Sequence, residues 1–283
     1  MVDENPVSRK EERLMTRPVT GSVRLVPGAR DLGGLHEQSI PQKDQLCGAF
    51  WGALALTAAG HPIDQDEVAL RSGTTLAEGD PAEWLPPGAL PKTDYETALP
   101  VAADETSSGT SAPALARSIE GLSGGHLAVV PVAGPWTATS VVELVETVAA
   151  ATSWCTLIAN IRTGHLWGSR PPVRLLLDHL AGLPVEEPPM PDWDCGHFLT
   201  IVACVGGTLV ALRDTYPQLG WGGYHLQPAG AVAAALERGD GSEGGVLCAC
   251  EACAAEVLAG RLGEAGFELR HWENGTPDPG RER

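Results

Sequence analysis

Residues 47–60, CGAFWGALALTAAG, form a segment that is apolar on nearly every face of a helix. The segment is rich in Ala and Leu and lacks a run of β-branched residues, and Gly60 and Pro62 at its end are residues that stop helices. A surface helix keeps one polar face, so a helix without a polar face has to be enclosed by other elements. We therefore predict a central, buried helix around which the rest of the chain packs.

The C-terminal half of the chain indicates the sheet on which this helix packs. Apolar β-rich runs alternate with helical patterns, and two of the runs, 197–205 and 208–214, are joined through Gly206-Gly207. This pattern is typical of an antiparallel hairpin. Strands and helices are partly segregated along the chain, which predicts an α+β fold with the buried helix on an antiparallel sheet.

The domain organisation follows from the remaining segments. We predict an irregular N-terminal lead-in over residues 1–40, a single domain over 41–272 and a flexible tail over 273–283. Residues 73–112 are rich in Pro, Gly, Ser and acidic side chains. A connection this long is uncommon inside a compact domain, which favours a lid or a partly disordered loop.

The charge balance restricts the partners. The chain has 36 acidic and 19 basic residues, a formal net charge of −17. This charge repels nucleic-acid phosphates and anionic lipids, so we predict neither nucleic acid nor membrane as a partner. A peptide-like or small acyl substrate is compatible with it, and we predict no cofactor. The first fifteen residues are charged throughout and lack the apolar stretch of a secretion signal, which predicts a cytoplasmic protein.

Cys47 is the candidate nucleophile. The chain has seven cysteines, an odd number without a sign of secretion, so a disulfide framework is a poor interpretation. Cys47 opens the predicted buried helix. A helix N-terminus stabilises a thiolate, the nucleophilic form of cysteine, through its dipole and free N–H groups.

The predicted hairpin supplies a base for this thiol. His197 opens its first strand and Asp214 ends its second, so antiparallel pairing brings the two side chains together. A carboxylate at this place fixes the imidazole tautomer and stabilises the protonated ring. We predict His197 as the general base and Asp214 as the residue that orients it.

Attack on a carbonyl also needs donors for the oxyanion that forms. The side-chain amides of Gln42 and Gln45 lie just upstream of Cys47 and are candidates beside its backbone N–H. Glycine leaves room for a substrate backbone, and an aromatic ring can wall the nucleophile. The predicted substrate-binding residues are Gly48, Trp51, Gly196 and Gln45.

Two patches of the sequence resemble a known superfamily. QKDQLCGAFW at 42–51 resembles the nucleophile segment of papain-like cysteine peptidases, where Gln precedes the Cys and an aromatic residue often follows. GHFLTIV at 196–202, with the Gly-Gly turn and Arg213-Asp214 after it, is similar to the His and Asp segment of the bacteriocin-leader peptidases. The resemblance implies a papain-like fold and thiol acyl chemistry.

The same resemblance implies the roles of the site residues. Cys47 would be the nucleophile, His197 the base, Asp214 the orienting group and Gln42 the oxyanion donor. We predict hydrolysis of a peptide or amide bond. The superfamily also contains acyltransferases and amide-forming enzymes, so an acyltransferase or a biosynthetic peptide ligase with the same triad is the alternative.

Two other groups of cysteines remain candidates. Cys195 precedes His197 by two residues and is a rival nucleophile, although it stands before a strand and lacks a helix dipole. The pattern C-x-C-x2-C can bind zinc or copper(I) if a fourth ligand arrives. A non-catalytic binding protein with such a metal cluster is therefore a second alternative, its ligands being Cys248, Cys250 and Cys253.

Overall fold

A sheet of seven strands lies at the centre of the protein, and all its neighbouring strands pair antiparallel. The computed structural model describes residues 23–80, 84–102, 107–151 and 153–280. The strands in chain order are β1 (Val23–Leu25), β2 (Leu76–Ala77), β3 (Val101–Ala102), β4 (Leu127–Val132), β5 (Cys155–Arg162), β6 (Gly196–Val205), β7 (Leu209–Arg213), β8 (Tyr224–Pro228) and β9 (Gly245–Glu251). The sheet order is β4-β9-β5-β6-β7-β8, and β1 pairs with the C-terminal end of β6. Strands β2 and β3 form a separate parallel pair.

Helices cover both faces of this sheet. They are α1 (Ala29–Gln38), α2 (Cys47–Ala58), α3 (Gln65–Arg71), α4 (Ala112–Leu122), α5 (Ala138–Ala149), α6 (Val173–Leu180), α7 (Ala229–Glu237) and α8 (Ala255–Glu264). The predicted mixture of helices with an antiparallel sheet is thus confirmed. Among the described helices, none has the length and apolarity needed to cross a bilayer.

The sheet separates two apolar cores. One core joins α5, α7 and α8 to the sheet and includes Val232 and Leu157. The other joins α2, α3 and α4 to the opposite face and includes Leu115 and Ile158. Leu157 and Ile158 are consecutive in β5 and point to opposite faces. Because β5 is covered on both sides, its sequence is a nearly continuous apolar run without the alternation of a half-exposed strand.

Helix α2 occupies the enclosed position that its composition predicts. Every residue from Gly48 to Leu56 is buried, and the helix packs on strand β6 as well as on α3 and α4. Gly60 follows with φ +85°, a left-handed conformation that favours glycine and ends the helix.

The predicted lead-in is not irregular throughout, because α1 forms within it over Ala29–Gln38. The buried residues of α1 include Ala29, Leu32 and His36, which share one face at helical spacing. Gly33 lowers the helix propensity of the sequence, yet it is required by packing, since a Cβ there would lie 2.5 Å from the Tyr224 hydroxyl oxygen. The first 22 residues of the lead-in lie outside the described part of the chain.

The predicted flexible tail, 273–283, is held against the domain over most of its length. The Asn274 side chain donates to the carbonyl of Thr110 at 2.9 Å, and the Thr276 hydroxyl donates to the carbonyl of Ser108 at 2.7 Å. The Pro and Gly residues of the tail favoured a flexible segment, whereas these two hydrogen bonds depend on tertiary contacts. The last three residues lie outside the described part.

The long loop predicted over 73–112 folds back onto the segment that leads into α2. The Lys92 N–H donates to Asp44 Oδ2 at 3.0 Å, and the Tyr95 hydroxyl donates to the Asp44 carbonyl at 3.0 Å. The described parts of the loop therefore support the chain immediately before Cys47. Residues 81–83 and 103–106 of the loop lie outside the described part.

Candidate active site

Cys47 is the first residue of α2 and is half-buried. Its sulfur meets strand β6 directly, because the backbone N–H of Phe198 donates to Sγ at 3.4 Å. The sulfur thus receives a backbone donor from the sheet in addition to the positive end of the α2 dipole. Both interactions stabilise an anionic sulfur over a neutral thiol.

His197 and Asp214 form a buried pair beside this sulfur. The Nε2–H of His197 donates to Asp214 Oδ1 at 3.2 Å, and both residues are at most 2% exposed. Burial alone lowers the pKa of His197, but the charges of Asp214 and Cys47 and hydrogen bonds to both raise that pKa to about 10. The arrangement therefore favours an imidazolium that is held by the Asp214 carboxylate next to the Cys47 sulfur.

Several donors keep Asp214 ionised. Burial raises the pKa of Asp214, but the charge and hydrogen bond of His197 outweigh burial and lower it below its ordinary value. The Tyr216 N–H adds a donor to Oδ1 at 3.0 Å, and the Asp214 N–H is fixed on the Gly223 carbonyl at 2.8 Å. A carboxylate with this many donors resists protonation.

The hairpin register explains how the pair forms. Arg213 is the register partner of Thr200, so Asp214 follows level with Leu199. His197 stands one diagonal step further along β6, within reach of a side chain from the neighbouring strand. The predicted neighbourhood of His197 and Asp214 is thus present, although the two residues are diagonal neighbours and not direct partners.

The two predicted oxyanion residues have different surroundings. Gln42 is buried, and its Nε2 donates to the Tyr216 hydroxyl at 3.0 Å, while its Oε1 has no partner among the described residues. Gln45 has a positive φ of 63°, and its Oε1 accepts the N–H of Ala77. The structure therefore places Gln42 at the site, whereas the side-chain carbonyl of Gln45 is hydrogen-bonded to the long loop.

Two aromatic rings enclose the imidazole. The ring of Tyr216 stacks on His197 at 5.9 Å between centroids, and the ring of Trp193 meets His197 edge-on at 5.1 Å. Tyr216 and Trp193 also contact each other at 5.5 Å. Sequence reasoning missed Tyr216, because no motif distinguishes it; its place two residues after Asp214 is the signal that could have found it.

Two of the residues predicted to bind substrate are buried in the protein core. Trp51 is fully buried and contacts His36 at 5.3 Å, and a Cβ on Gly48 would lie 3.1 Å from the Phe198 ring. Both residues thus serve the packing of α2 and not a substrate surface, because α2 is enclosed on every side. Gly196 is exposed beside His197, as a substrate-binding position requires.

Cys195, the rival nucleophile, lies close to Cys47 and is half-buried. Burial and then the charge of Cys47 raise the pKa of the Cys195 thiol above its ordinary value. The Cys195 N–H is bound to the Thr163 hydroxyl at 2.9 Å in the turn before β6, with no helix N-terminus at this position. The geometry therefore favours Cys47 as the nucleophile of the pair.

Most of the chain matches a known protein family. Residues 26–273 match a family of unknown function, DUF6885. The chain belongs to this family. The matched range contains Gln42, Cys47, His197, Asp214 and Tyr216. No curated protein matches the chain, and no solved structure matches it.

The C-x-C-x2-C segment of this DUF6885 member lies at the end of β9, away from Cys47. Cys248 and Cys250 are buried in the sheet, and Cys253 is exposed in the turn that follows. Burial raises the pKa of Cys250 to about 11 and also raises the pKa of Cys248. Within the described ranges, no three His, Cys, Asp or Glu side chains are arranged to hold a metal ion.

A second buried network lies behind Asp214. The Arg213 Nε–H donates to His36 Nδ1 at 2.6 Å, and His36 Nε2–H donates to the Thr215 carbonyl at 3.2 Å. Arg213 also lies over the Tyr224 ring at 4.0 Å. Burial and the Arg213 charge lower the pKa of His36 to about 4, so a neutral imidazole accepts from the guanidinium.

His36 is expected to make the fold acid-sensitive. Its folded pKa is about 4 and its unfolded pKa about 6.5, so only the unfolded chain gains a proton between these values. The free energy of unfolding should therefore fall between pH 6.5 and pH 4, by roughly 3 kcal/mol from this residue. Urea unfolding at pH 7 and pH 5 measures the change.

Two histidine variants test whether His36 causes this acid dependence of stability. His36→Asn is less stable at neutral pH but should lose less of its stability on acidification than the wild type. His179→Asn, which alters a half-buried histidine on helix α6, should retain the wild-type acid dependence. An unchanged acid dependence in His36→Asn would contradict the assignment.

Proposed function

We propose that this protein catalyses acyl chemistry at Cys47 through a Cys-His-Asp triad in a papain-like arrangement. One observation carries the proposal: the Cys47 sulfur, at the N-terminus of a buried helix, accepts a backbone N–H from the strand that bears His197. The other side of the imidazole is bound to Asp214, so the ring lies between thiol and carboxylate.

The first half of the proposed reaction forms an acyl-enzyme. The Cys47 thiolate attacks a carbonyl carbon, so a C–S bond forms and the carbonyl oxygen takes up negative charge. The His197 imidazolium gives its proton to the leaving nitrogen as the C–N bond breaks. Asp214 keeps Nε2 protonated, which directs Nδ1 of the ring toward the sulfur.

The second half regenerates the thiol. His197, now neutral, removes a proton from water as the water oxygen attacks the thioester carbonyl. Collapse of the new tetrahedral species breaks the C–S bond and releases a carboxylic acid. An amine in place of water would yield an amide by the same steps, which is the acyl-transfer or ligase alternative. The primary proposal is hydrolysis of a peptide or amide bond.

The overall architecture supports this proposal at the level of fold. A helix that carries the thiol at its N-terminus packs on an antiparallel sheet, and one strand of that sheet carries the base. This is the arrangement that the sequence resemblance to papain-like peptidases implies. The acidic surface favours a neutral or basic peptide-like substrate.

Selective alkylation tests the proposed nucleophile. Iodoacetamide at pH 6 should label one thiol stoichiometrically, and peptide mass spectrometry should locate the label on Cys47, because ordinary thiols are protonated at this pH. Cys47→Ser should remove the label, whereas Cys253→Ser, which alters an exposed cysteine outside the site, should retain it. Equal labelling of several cysteines, or none at Cys47, would refute the proposal.

A further inference from the structure

The hydroxyl of Tyr216 is a buried donor whose proton is not used. Its oxygen accepts Gln42 Nε2–H at 3.0 Å, and the residue is 8% exposed. Among the described residues, no atom accepts the hydroxyl proton in return. A buried O–H group normally has an acceptor, so this hydroxyl has a proton available for an acceptor on a bound ligand.

Two chain segments of the site hold this hydroxyl in place. The Tyr216 ring stacks on the His197 imidazole, and its backbone N–H is bound to Asp214. Gln42, which donates a hydrogen bond to the hydroxyl, belongs to the segment that leads into α2 and Cys47. Fixed donors of this kind do not need to reorganise when charge develops next to them.

The phenol lies at the base of the proposed site, because its ring stacks on His197 and its hydroxyl is bound by Gln42, five residues before Cys47. Burial raises the pKa of Tyr216 most, and the charge of Cys47 follows, ahead of the charge of Asp214. The phenol is therefore neutral at working pH and retains its proton. A neutral O–H can donate to an oxygen that becomes anionic, which a phenolate cannot do.

We propose that the Tyr216 hydroxyl donates to the oxyanion formed when Cys47 attacks a carbonyl, and that Gln42 positions this hydroxyl. The inference rests on the proposed thiol chemistry and assigns its oxyanion donor. It moves the main donor role from Gln42, the residue favoured by the sequence, to Tyr216. Gln42 then acts through Tyr216, since one of its two amide N–H groups holds the Tyr216 hydroxyl.

Two reactions of the same sulfur separate this role from a structural one. Acylation by p-nitrophenyl acetate passes through a tetrahedral oxyanion, whereas alkylation by iodoacetamide displaces iodide at a saturated carbon and forms none. In Tyr216→Phe, which keeps the stacked ring, acylation of Cys47 should slow by about 100-fold. Alkylation should change by less than about threefold, since removal of the hydroxyl leaves His197 and Asp214 in place.

Two further variants complete the experiment. Tyr224→Phe removes a phenol that packs against α1 and should leave both rates unchanged. If Gln42 acts by holding Tyr216, the double variant Gln42→Ala, Tyr216→Phe should acylate no more slowly than Tyr216→Phe alone.

The other outcomes would overturn either the assignment of the oxyanion donor or the proposed function. Unchanged acylation in Tyr216→Phe, or an equal loss in both reactions, overturns the assignment of the oxyanion donor while leaving the proposed nucleophile intact. A wild-type Cys47 that reacts with neither reagent overturns the proposed function itself, and this inference with it.

Discussion

In a His197→Ala variant, iodoacetamide should alkylate Cys47 at pH 6 about 300-fold more slowly than in the wild type. The His197 imidazolium stabilises the thiolate, and its pKa of about 10 means that the stabilising charge is present throughout neutral pH. Without this charge a Cys47 thiolate would lose its counter-ion, and a thiol without such a partner is only about 0.3% ionised at pH 6. The rate of alkylation against pH is the measurement.

The pH dependence distinguishes this mechanism from general damage to the site. The difference between variant and wild type should shrink to a few-fold at pH 9, where an ordinary thiol is already ionised. His179→Ala, on helix α6 outside the site, serves as the control and should react like the wild type at both pH values. A variant that is equally slow at pH 6 and pH 9 would point to a disturbed fold and contradict the proposed ion pair.

Replacement of Asp214 by Asn should lower the acylation rate of Cys47 by roughly 10²–10⁴-fold. Asp214 supplies the largest of the contributions that raise the pKa of His197, and without its charge the desolvation of the buried ring lowers that pKa. The amide can also donate to Nε2 and so stabilise the wrong tautomer of the ring. The burst of p-nitrophenol released on acylation measures the effect.

A neighbouring carboxylate provides the matched control. Asp194 lies just before β6, and its exposed side chain is paired with Arg162, so Asp194→Asn removes the same charge near the site without touching His197. Its acylation rate should stay within about threefold of the wild type, because exposed ion pairs contribute little. Equal losses in the Asp194 and Asp214 variants would show that net charge, and not the orientation of His197, matters.

Much of the local structure could be predicted from the sequence. The enclosed helix at Cys47–Ala58 follows from a composition without a polar face, and the β6–β7 hairpin follows from Gly206-Gly207 between two β-rich runs. The nearness of His197 and Asp214 then needs only hairpin pairing, which is local. Helix α1 was missed because its glycines resemble a loop, and the tyrosine whose hydroxyl requires glycine at Gly33 is far away in sequence.

The surroundings of the candidate site depended on the packing of distant segments. Gln42 and Gln45 were both candidates in the sequence, yet one is bound to Tyr216 and the other to the long loop. Trp51 stood where an aromatic wall was expected, but α2 is enclosed on every side and turns its ring into the core. Tyr216 had no distinguishing pattern of its own.

The sequence by itself determined that a helix opens with Cys47 and that a hairpin brings His197 close to Asp214. Helix composition and hairpin connection are properties of neighbouring residues, which is why they can be deduced from a single chain. Only the tertiary structure decided that Phe198 binds the Cys47 sulfur and that Tyr216 lies over His197 with Gln42 on its hydroxyl. The Cys47–Phe198 and Gln42–Tyr216 contacts join residues more than 150 positions apart, and they form only when α2 and its lead-in pack on the sheet.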